Sequence, residues 1–190
     1  MIAPLSMMAA CSGGNDAEQP GQKTVFQTIL RRTSVRDYVK DKPVEQGKID
    51  TLLRAAMAAP SGMDRRPWEF IVVDKREVLD SLAAGLSNAR MLARAPLAII
   101  VCGNEKTSSY WYLDCSAAAQ NILLTACSLN LGAVWTAAYP YEDRMNVIRS
   151  CVQLPEDVKP LCVIPVGYPS GDFTPKDKWD ESRIHRNCWE

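Results

Sequence analysis

The feature that most constrains this chain is a run of seven residues, 96–102, that is apolar almost throughout and rich in β-branched side chains. A strand with one solvated face alternates apolar and polar residues, whereas a continuous apolar run is typical of a strand covered on both faces. We therefore expect residues 96–102 to form a central strand, with helices packed on each side of the sheet.

Periodicity predicts helices and further strands around this run. The longest predicted helix, 110–129, is apolar over so much of its surface that we expect it to be buried, and it is a candidate for contact between subunits. The first predicted helix, 23–32, has an apolar face formed by Val25, Phe26, Ile29 and Leu30. The other predicted helices are 45–59, 77–86 and 142–151, and the other strands are 68–73, 132–138 and 161–166. This alternation indicates an α+β or α/β sandwich.

Composition argues against two classes of function. Lys plus Arg and Asp plus Glu number 22 each, so the net charge gives no electrostatic reason to expect nucleic-acid binding. The seven cysteines contain no C-x-x-C pair and the single histidine is His185, so a metal site is not expected. Most of the cysteines lie in apolar runs, and we interpret them as buried free thiols.

Residues 1–22 differ in composition from the rest of the chain. Residues 1–11 are mostly small or apolar, and their end, Met-Ala-Ala-Cys11, resembles a loose bacterial lipobox followed by a polar linker. Two interpretations stay open: a disordered extension of a cytoplasmic protein, or a trimmed lipoprotein signal with a lipid anchor at Cys11. No stretch after Cys11 is apolar over the roughly 18 residues of a transmembrane helix, and residues 23–190 are expected to form one soluble domain.

A cluster of cations and hydroxyls follows the first predicted helix, in the sequence Arg-Arg-Thr-Ser-Val-Arg of residues 31–36. Guanidinium forks and a hydroxyl at this spacing suit a phosphate or the electron-rich edge of a ring. The alternative interpretation is a solvated cationic helix end that offsets the helix dipole.

A second polar segment, 59–68, lies between the second predicted helix and the first predicted strand. It contains Gly62 among several hydrogen-bond donors, and such a loop can bring backbone N–H groups close to a ligand. The alternative is an ordinary turn between a helix and a strand. Together the two segments resemble the nitroreductase family, whose pattern is Arg-x-Ser-x-Arg/Lys followed by Pro-Ser-x-x-Asn-x-Gln-Pro-Trp. The resemblance continues through segments 95–101, 114–120, 131–135 and 166–169.

The resemblance implies a nitroreductase-like three-layer α/β/α sandwich of the α+β class, with a mixed or antiparallel central sheet and a C-terminal tail exchanged in a dimer. It also implies a homodimer that binds FMN at the subunit interface. Such an enzyme passes electrons from NAD(P)H, bound transiently, to a small acceptor such as a nitroaromatic, quinone or enone, by a ping-pong mechanism. No protein acid or nucleophile is required, so we assign no catalytic residue.

By the same resemblance, Arg32 and Ser34, with Thr33 between them, would bind the FMN phosphate and ribityl chain. Arg36 would lie beside N1 and the C2 carbonyl of the flavin, where reduction places negative charge. Arg90 resembles a second cation near that edge, although a surface arginine fits its position equally well.

The loop would reach the flavin of the partner subunit, through Pro60, Ser61, Gly62, Met63, Asp64 and Arg66. Asp64 replaces the usual Asn and Arg66 the usual Gln, so an amide pair has become an acid and a base that can pair with each other.

Two further segments complete the site that the resemblance implies. The first lies behind the isoalloxazine and comprises Trp135, Thr136, Ala137 and Ala138, although the Trp135 side chain fits a core position equally well. The second, Lys176 and Lys178, would complete the phosphate site. Two other functions stay open: a non-catalytic FMN-binding protein, and a cofactor-free interaction lipoprotein of the same fold.

Overall fold

The computed structural model describes residues 24–189. Within that range, the helices are α1 (Val25–Arg31), α2 (Gln46–Met57), α3 (Arg76–Gly85), α4 (Trp111–Ser128) and α5 (Glu142–Val152). The strands are β1 (Trp68–Val73), β2 (Leu97–Asn104), β3 (Gly132–Ala133), β4 (Thr136–Ala137) and β5 (Val158–Gly167). The two interpretations of residues 1–22, including lipidation of Cys11, lie outside the described residues and stay predictions.

The strands form one antiparallel sheet in the order β1-β2-β5-β3, and β4 also pairs with β5. Helices α2 and α4 pack on one face of this sheet, and α3 and α5 pack on the other. The α+β prediction is confirmed, and the sheet is an open antiparallel one.

Strand β2 is covered on both faces, as its apolar run predicts. Its side chains alternate between the two helical layers: Leu97, Ile99 and Val101 face the layer of α2 and α4, and Ala98, Ile100 and Cys102 face the layer of α3 and α5. All six are at most 2% exposed. Because full burial of one Leu, Ile or Val side chain stabilises the fold by roughly 1.5–3 kcal/mol, this strand anchors both cores.

The predicted strand 132–138 is interrupted, and the prediction of one continuous strand is wrong. Gly132 pairs with Gly167 and Thr136 pairs with Val163, so the register is the same before and after the break. That register puts Pro165 opposite Val134. Since proline has no N–H to donate, the ladder loses a hydrogen bond at this point and divides into β3 and β4.

The apolar face of α1 points away from the core of the chain. We name it the α1 stripe: its residues Val25, Phe26, Ile29 and Leu30 are between 47% and 77% exposed. The buried side of α1 is instead marked by Thr28, whose carbonyl lies near the Cys127 thiol of α4. The α1 stripe is therefore an apolar surface that the described part of the chain covers only in part.

The six cysteines among residues 24–189 differ in their exposure. Cys102, Cys115 and Cys162 are buried as expected, but Cys127 and Cys151 are half-buried and Cys188 is exposed, so the prediction of buried thiols is wrong for these three.

Residues 171–189 are mostly exposed, with Phe173 packing on a small core of Val35, Tyr38 and Ala95. Among residues 24–189, no helix combines the length and the apolar character that crossing a bilayer requires.

Candidate functional site

Six of the predicted site residues surround one cavity of about 280 Å³. We name it the cationic cleft, and its lining residues are Arg32, Thr33, Ser34, Arg36, Lys176 and Lys178. None of the four cations forms a salt bridge with any residue in the range 24–189. The cleft therefore combines four cations that form no salt bridge with two hydroxyl groups, which is the donor set that suits an anion such as phosphate.

One wall of the cationic cleft is held against the edge of the sheet. Ser34 forms a parallel bridge with Ala133, and the Val35 N–H donates to the Ala133 carbonyl at 3.1 Å. The close approach requires Gly132, since an added Cβ there would lie 2.5 Å from Cγ1 of Val35. The absence of a side chain at Gly132 is what lets residues 32–36 dock on β3.

The other wall comes from a segment that follows β5. The Val39 N–H donates to the Tyr168 carbonyl at 2.8 Å, and the Ser170 N–H donates to the Asp37 carbonyl at 3.0 Å. This short ladder joins the chain that leaves the cleft on one side to the chain that returns with Lys176 and Lys178. The first wall thus depends on contacts between segments about 100 residues apart, and the second on contacts between segments about 130 residues apart.

Tyr38 lies under this ladder and is almost fully buried. Its hydroxyl is 2.9 Å from the Val35 carbonyl and 3.2 Å from the Pro165 carbonyl, so it bonds the cleft segment to β5. Burial raises the pKa of Tyr38 far above its ordinary value, and the nearby Arg36 charge opposes that shift only partly. Tyr38 therefore acts as a neutral support for the cleft.

A second, larger cavity of about 750 Å³ adjoins the cationic cleft between α1 and the tail. The two cavities share Arg32, Lys176 and Lys178, and the larger one adds apolar groups from the α1 stripe and Trp179. Sequence reasoning missed this apolar wall, because helical spacing shows which residues share a face but not what that face borders.

The loop after α2 is held in a strained conformation at the amino end of α4. Met63, Asp64 and Arg66 all have positive φ, at 52°, 54° and 49°. Non-glycine residues in this region cost free energy and need support from their surroundings. Support comes from buried Asp114, which accepts the Gly62 N–H at 2.9 Å and the Ser108 hydroxyl at 3.1 Å.

Asp64 and Arg66, the two departures from the family pattern, pair with each other. Nε of Arg66 donates to Oδ1 of Asp64 at 2.8 Å, and Nη2 donates to Oδ2, so the contact is bidentate. The hydrogen bond from Arg66 is the main reason that the pKa of Asp64 is lowered. Both side chains remain exposed, so the surface carries an ion pair with little net charge at this position.

The structure does not bring every predicted residue into the cationic cleft. Among residues 24–189, its lining includes no residue of the loop 60–66, of the segment 135–138, or Arg90. Arg90 is exposed in a 3-10 turn, Arg90–Ala93, whose Met91 packs beside the core of Val35 and Tyr38. Arg90 therefore flanks the cleft segment without lining the cavity.

The segment behind the predicted ring position is built around β4. The Trp135 side chain packs against the core layer of α2 and α4. This is the core position that the sequence analysis gave as the alternative to a place behind the ring. Thr136 is buried and donates to the Val163 carbonyl at 2.7 Å. The Ala137 carbonyl accepts from Asn88 at 3.1 Å and from Arg144 at 3.2 Å. Sequence reasoning missed Asn88 and Arg144, since a side-chain bond to a distant backbone carbonyl leaves no local pattern.

No group of three or more His, Cys, Asp or Glu side chains within residues 24–189 is arranged to hold a metal ion. The chemistry that the cationic cleft offers is anion binding beside an apolar cavity.

Comparisons with known proteins place the chain in a family. A family model described as the nitroreductase family matches residues 29–87 and 80–168. The chain is 47% identical over 168 residues to a protein of Methanothermobacter thermautotrophicus with the provisional name NADH dehydrogenase/NAD(P)H nitroreductase, and the match covers 87% of each. A solved structure from Bacteroides thetaiotaomicron with the same provisional name is 61% identical, with a TM-score of 0.85 and coverage of 87% of this chain and 98% of that chain.

An FMN-dependent nitroreductase of Clostridium difficile is 32% identical, with a TM-score of 0.81 and coverage of 85% of this chain and 98% of that chain. The family model spans more than half of the chain, and the sequence patterns at residues 32–36 and 60–68 are those that resemble this family. The chain therefore belongs to the nitroreductase family and is an oxidoreductase.

Proposed function

We propose that this protein is an FMN-dependent enzyme that transfers electrons from NAD(P)H to a small acceptor such as a nitroaromatic, quinone or enone. The observation that carries the proposal is the cationic cleft, whose four cations form no salt bridge within residues 24–189. The FMN-dependent relative from Clostridium difficile supports the same cofactor.

The residues of the cleft fit a phosphate monoester. Arg32, Lys176 and Lys178 supply charge-assisted donors, and the hydroxyls of Thr33 and Ser34 supply neutral ones. FMN, when bound, supplies the capacity to take up and release a pair of electrons. Arg36, the remaining cation of the cleft, would stabilise negative charge on the pyrimidine edge of the ring and so favour reduction.

The nicotinamide is proposed to bind transiently in the same place as the acceptor, which corresponds to a ping-pong cycle. The sequence contains no G-x-G-x-x-G motif, so it offers no separate dinucleotide-binding site of the Rossmann type. One open site that serves both substrates in turn is consistent with this.

We propose that the working unit is a homodimer. The exposed α1 stripe, together with Leu113 of α4 at 54% exposure, forms apolar surface that a second copy would cover. The loop 60–66 lies outside the cationic cleft of its own chain, and we propose that it reaches the flavin of the partner. The tail beyond Lys178, with Trp179 and Trp189 at 75% and 85% exposure, is proposed to lie on the partner subunit.

The test of the cofactor is the visible absorbance spectrum of the purified protein, before and after NADH or NADPH is added. Flavin bands that bleach with a reduced nicotinamide and return with menadione support the proposal. Bands that never bleach indicate a non-catalytic FMN-binding protein, and protein that stays colourless after FMN is added refutes the cofactor assignment.

A matched pair of variants tests the site itself. Arg32→Ala removes a cation of the cleft, whereas Arg31→Ala removes its exposed neighbour, which does not line the cavity. Loss of one charge-assisted contact is expected to weaken FMN binding about 10- to 100-fold for Arg32→Ala only. Equal effects from the two substitutions would show that net charge, and not the cleft, governs binding.

Mixed dimers test the proposed crossing of the loop. A chain with Arg36→Met and a chain with Gly62→Trp would each be impaired as a homodimer, because each lacks one half of both sites. A heterodimer of the two restores one intact site if the loop acts on the partner. No recovery of bound, reducible FMN in the heterodimer would place the loop in its own subunit's site.

A further inference from the structure

We infer that Asn88 and Arg144 are positioning residues, which hold the backbone of β4 so that the N–H of Ala137 faces the cofactor. The inference rests on the proposed function and extends it to two residues outside the cationic cleft. It is carried by the two hydrogen bonds to the Ala137 carbonyl. It also rests on the alternating direction of the backbone N–H and C=O groups along β3 and β4.

The backbone of Ala137 points away from the sheet. In an antiparallel pair, the N–H and C=O of one residue point to the same side, and successive residues alternate. The Ala138 N–H donates to the Leu161 carbonyl at 3.0 Å, so the backbone N–H and C=O of Ala138 point toward β5. Those of Ala137 point to the opposite side. There β4 has no neighbouring strand among residues 24–189, and the Ala137 N–H has no acceptor in that range.

Two donors from separate elements fix the Ala137 carbonyl. Asn88 lies in the turn after α3 and donates through Nδ2 at 3.1 Å, and Arg144 lies in α5 and donates through Nη1 at 3.2 Å. The Arg144 guanidinium also stacks 4.1 Å from the centre of the Tyr141 ring, which limits its freedom. Both lone pairs of one carbonyl are thus engaged, one of them by a permanent cation.

This support is needed because β4 is only two residues long. A strand that short, with one neighbour, adds little stability of its own. Ala137 is half-buried and has a small side chain, so a ring can approach its backbone closely. The peptide unit that contains the Ala137 carbonyl also contains the Ala138 N–H, which is bonded to Leu161, so the two donors hold the second polar group of a unit whose first is held by β5.

The same edge carries the cationic cleft. Ala133 and Ala137 are four residues apart, so both turn their polar backbone groups away from β5. The Ala133 carbonyl is occupied by the Val35 N–H of the cleft segment, and Ala137 lies about 13 Å farther along the edge at the usual rise per residue. A phosphate bound near Ser34 and a ring beside Ala137 would be joined by a ribityl chain along this edge.

The electrostatics agree with this placement. Arg36 lines the cationic cleft and Arg144 is bonded to the Ala137 carbonyl, so a cation lies near each end of this edge, and an N–H dipole aimed at the ring adds to their field. Negative charge that arrives on the ring is then stabilised by fixed groups that need no rearrangement.

The test compares Asn88→Ala and Arg144→Met with wild type, using Asn146→Ala as the control because Asn146 is an exposed residue of α5. Arg144→Lys restores a charged donor without the planar guanidinium. Three quantities are measured: the FMN dissociation constant, the midpoint potential of the bound flavin, and the ¹⁵N shift of the Ala137 amide when FMN is added.

For Asn88→Ala and Arg144→Met, we expect a more negative midpoint potential, a smaller FMN-induced shift at Ala137, and about tenfold slower reduction by NAD(P)H. FMN affinity should change less than threefold, because the phosphate contacts are intact. Arg144→Lys should recover much of the potential, and Asn146→Ala should match wild type. If Arg144→Met does not fold, Asn88→Ala and Arg144→Lys carry the comparison.

The inference is overturned if both variants keep the wild-type potential and the wild-type shift at Ala137 while still binding FMN. In that case the proposed function stands without it. Wild-type protein that binds no FMN overturns both.

Discussion

Asp114 accepts the backbone N–H of Gly62 at 2.9 Å, although the two residues lie 52 positions apart in the chain. The other carboxylate oxygen of Asp114 accepts the Ser108 hydroxyl at 3.1 Å. One buried acidic residue at the start of α4 thus holds the start of the strained loop at residues 62–66. An acidic side chain is also the kind that the amino end of a helix favours.

Removing this acceptor is expected to destabilise the protein. Asp114→Ala leaves the Gly62 N–H and the Ser108 hydroxyl without their partner, at a cost of about 2–3 kcal/mol in the free energy of unfolding. Asp114→Asn keeps one oxygen acceptor and should cost about 1 kcal/mol. Urea unfolding followed by circular dichroism measures both. Equal losses for the two substitutions would mean that charge, and not hydrogen bonding to the loop, is what matters at this position.

Two glycines offer a matched test of how the cleft segment docks. At Gly132, an added Cβ would lie 2.5 Å from Val35, whereas at Gly47 no atom lies within 4 Å. Gly132→Ala is therefore expected to destabilise the fold by roughly 1–3 kcal/mol and to weaken FMN binding, since residues 32–36 must move. Gly47→Ala lies in α2 and should be neutral or stabilising by about 0.5 kcal/mol.

Thermal unfolding and FMN titration of both variants check this prediction. An unchanged FMN affinity in folded Gly132→Ala protein would show that the segment 32–36 is not held by β3.

The sequence could predict features that depend on local pattern. The apolar run of β2 predicts burial on both faces, and the motif at 32–36 predicts residues that do line one cavity. It could not predict the break between β3 and β4, because the cause is Pro165 on another strand. Nor could it find Asn88 and Arg144, whose shared target is a backbone carbonyl distant in the chain. The orientation of the α1 stripe depends on neighbours that periodicity does not specify.

Tyr168 links the segment after β5 to the start of α2, and this link predicts a pH effect. Its hydroxyl donates to Glu45 at 2.7 Å, which is the main reason that the pKa of Glu45 falls from 4.5 to about 2. Because the pKa is lower in the folded state, the contact stabilises the fold above about pH 4.5, and this contribution is lost as the pH falls toward 2.

Tyr168→Phe is expected to raise the pKa of Glu45 toward its ordinary value, with only a small effect on stability at neutral pH, since the pair is exposed. Carboxylate ¹³C shifts of Glu45 between pH 6 and pH 2 provide the measurement, with Glu181, which takes no part in this contact, as an internal reference. An unaltered titration of Glu45 in Tyr168→Phe would assign the lowered pKa to the backbone hydrogen bond at Glu45 and to Lys48 instead.

The buried cysteines give a prediction about reactivity. Burial raises the pKa of Cys102 and of Cys115 to about 12, and it raises that of Cys162 as well. Since the thiolate is the reactive form, less than about one in a thousand of these thiols is ionised at pH 8. Cys188, by contrast, is exposed near the end of the chain.

Alkylation of the native protein by iodoacetamide at pH 8 should therefore leave the three buried thiols intact under conditions that modify an exposed thiol, as located by peptide mass spectrometry. In urea above the unfolding midpoint, all of them should react at similar rates. The native rate for Cys102, Cys115 and Cys162 should rise in Gly132→Ala by the same factor as the fraction of unfolded protein, because these side chains become accessible when the core opens. Rapid modification of Cys115 in the native state would instead mean that the contact of α4 with β2 opens locally.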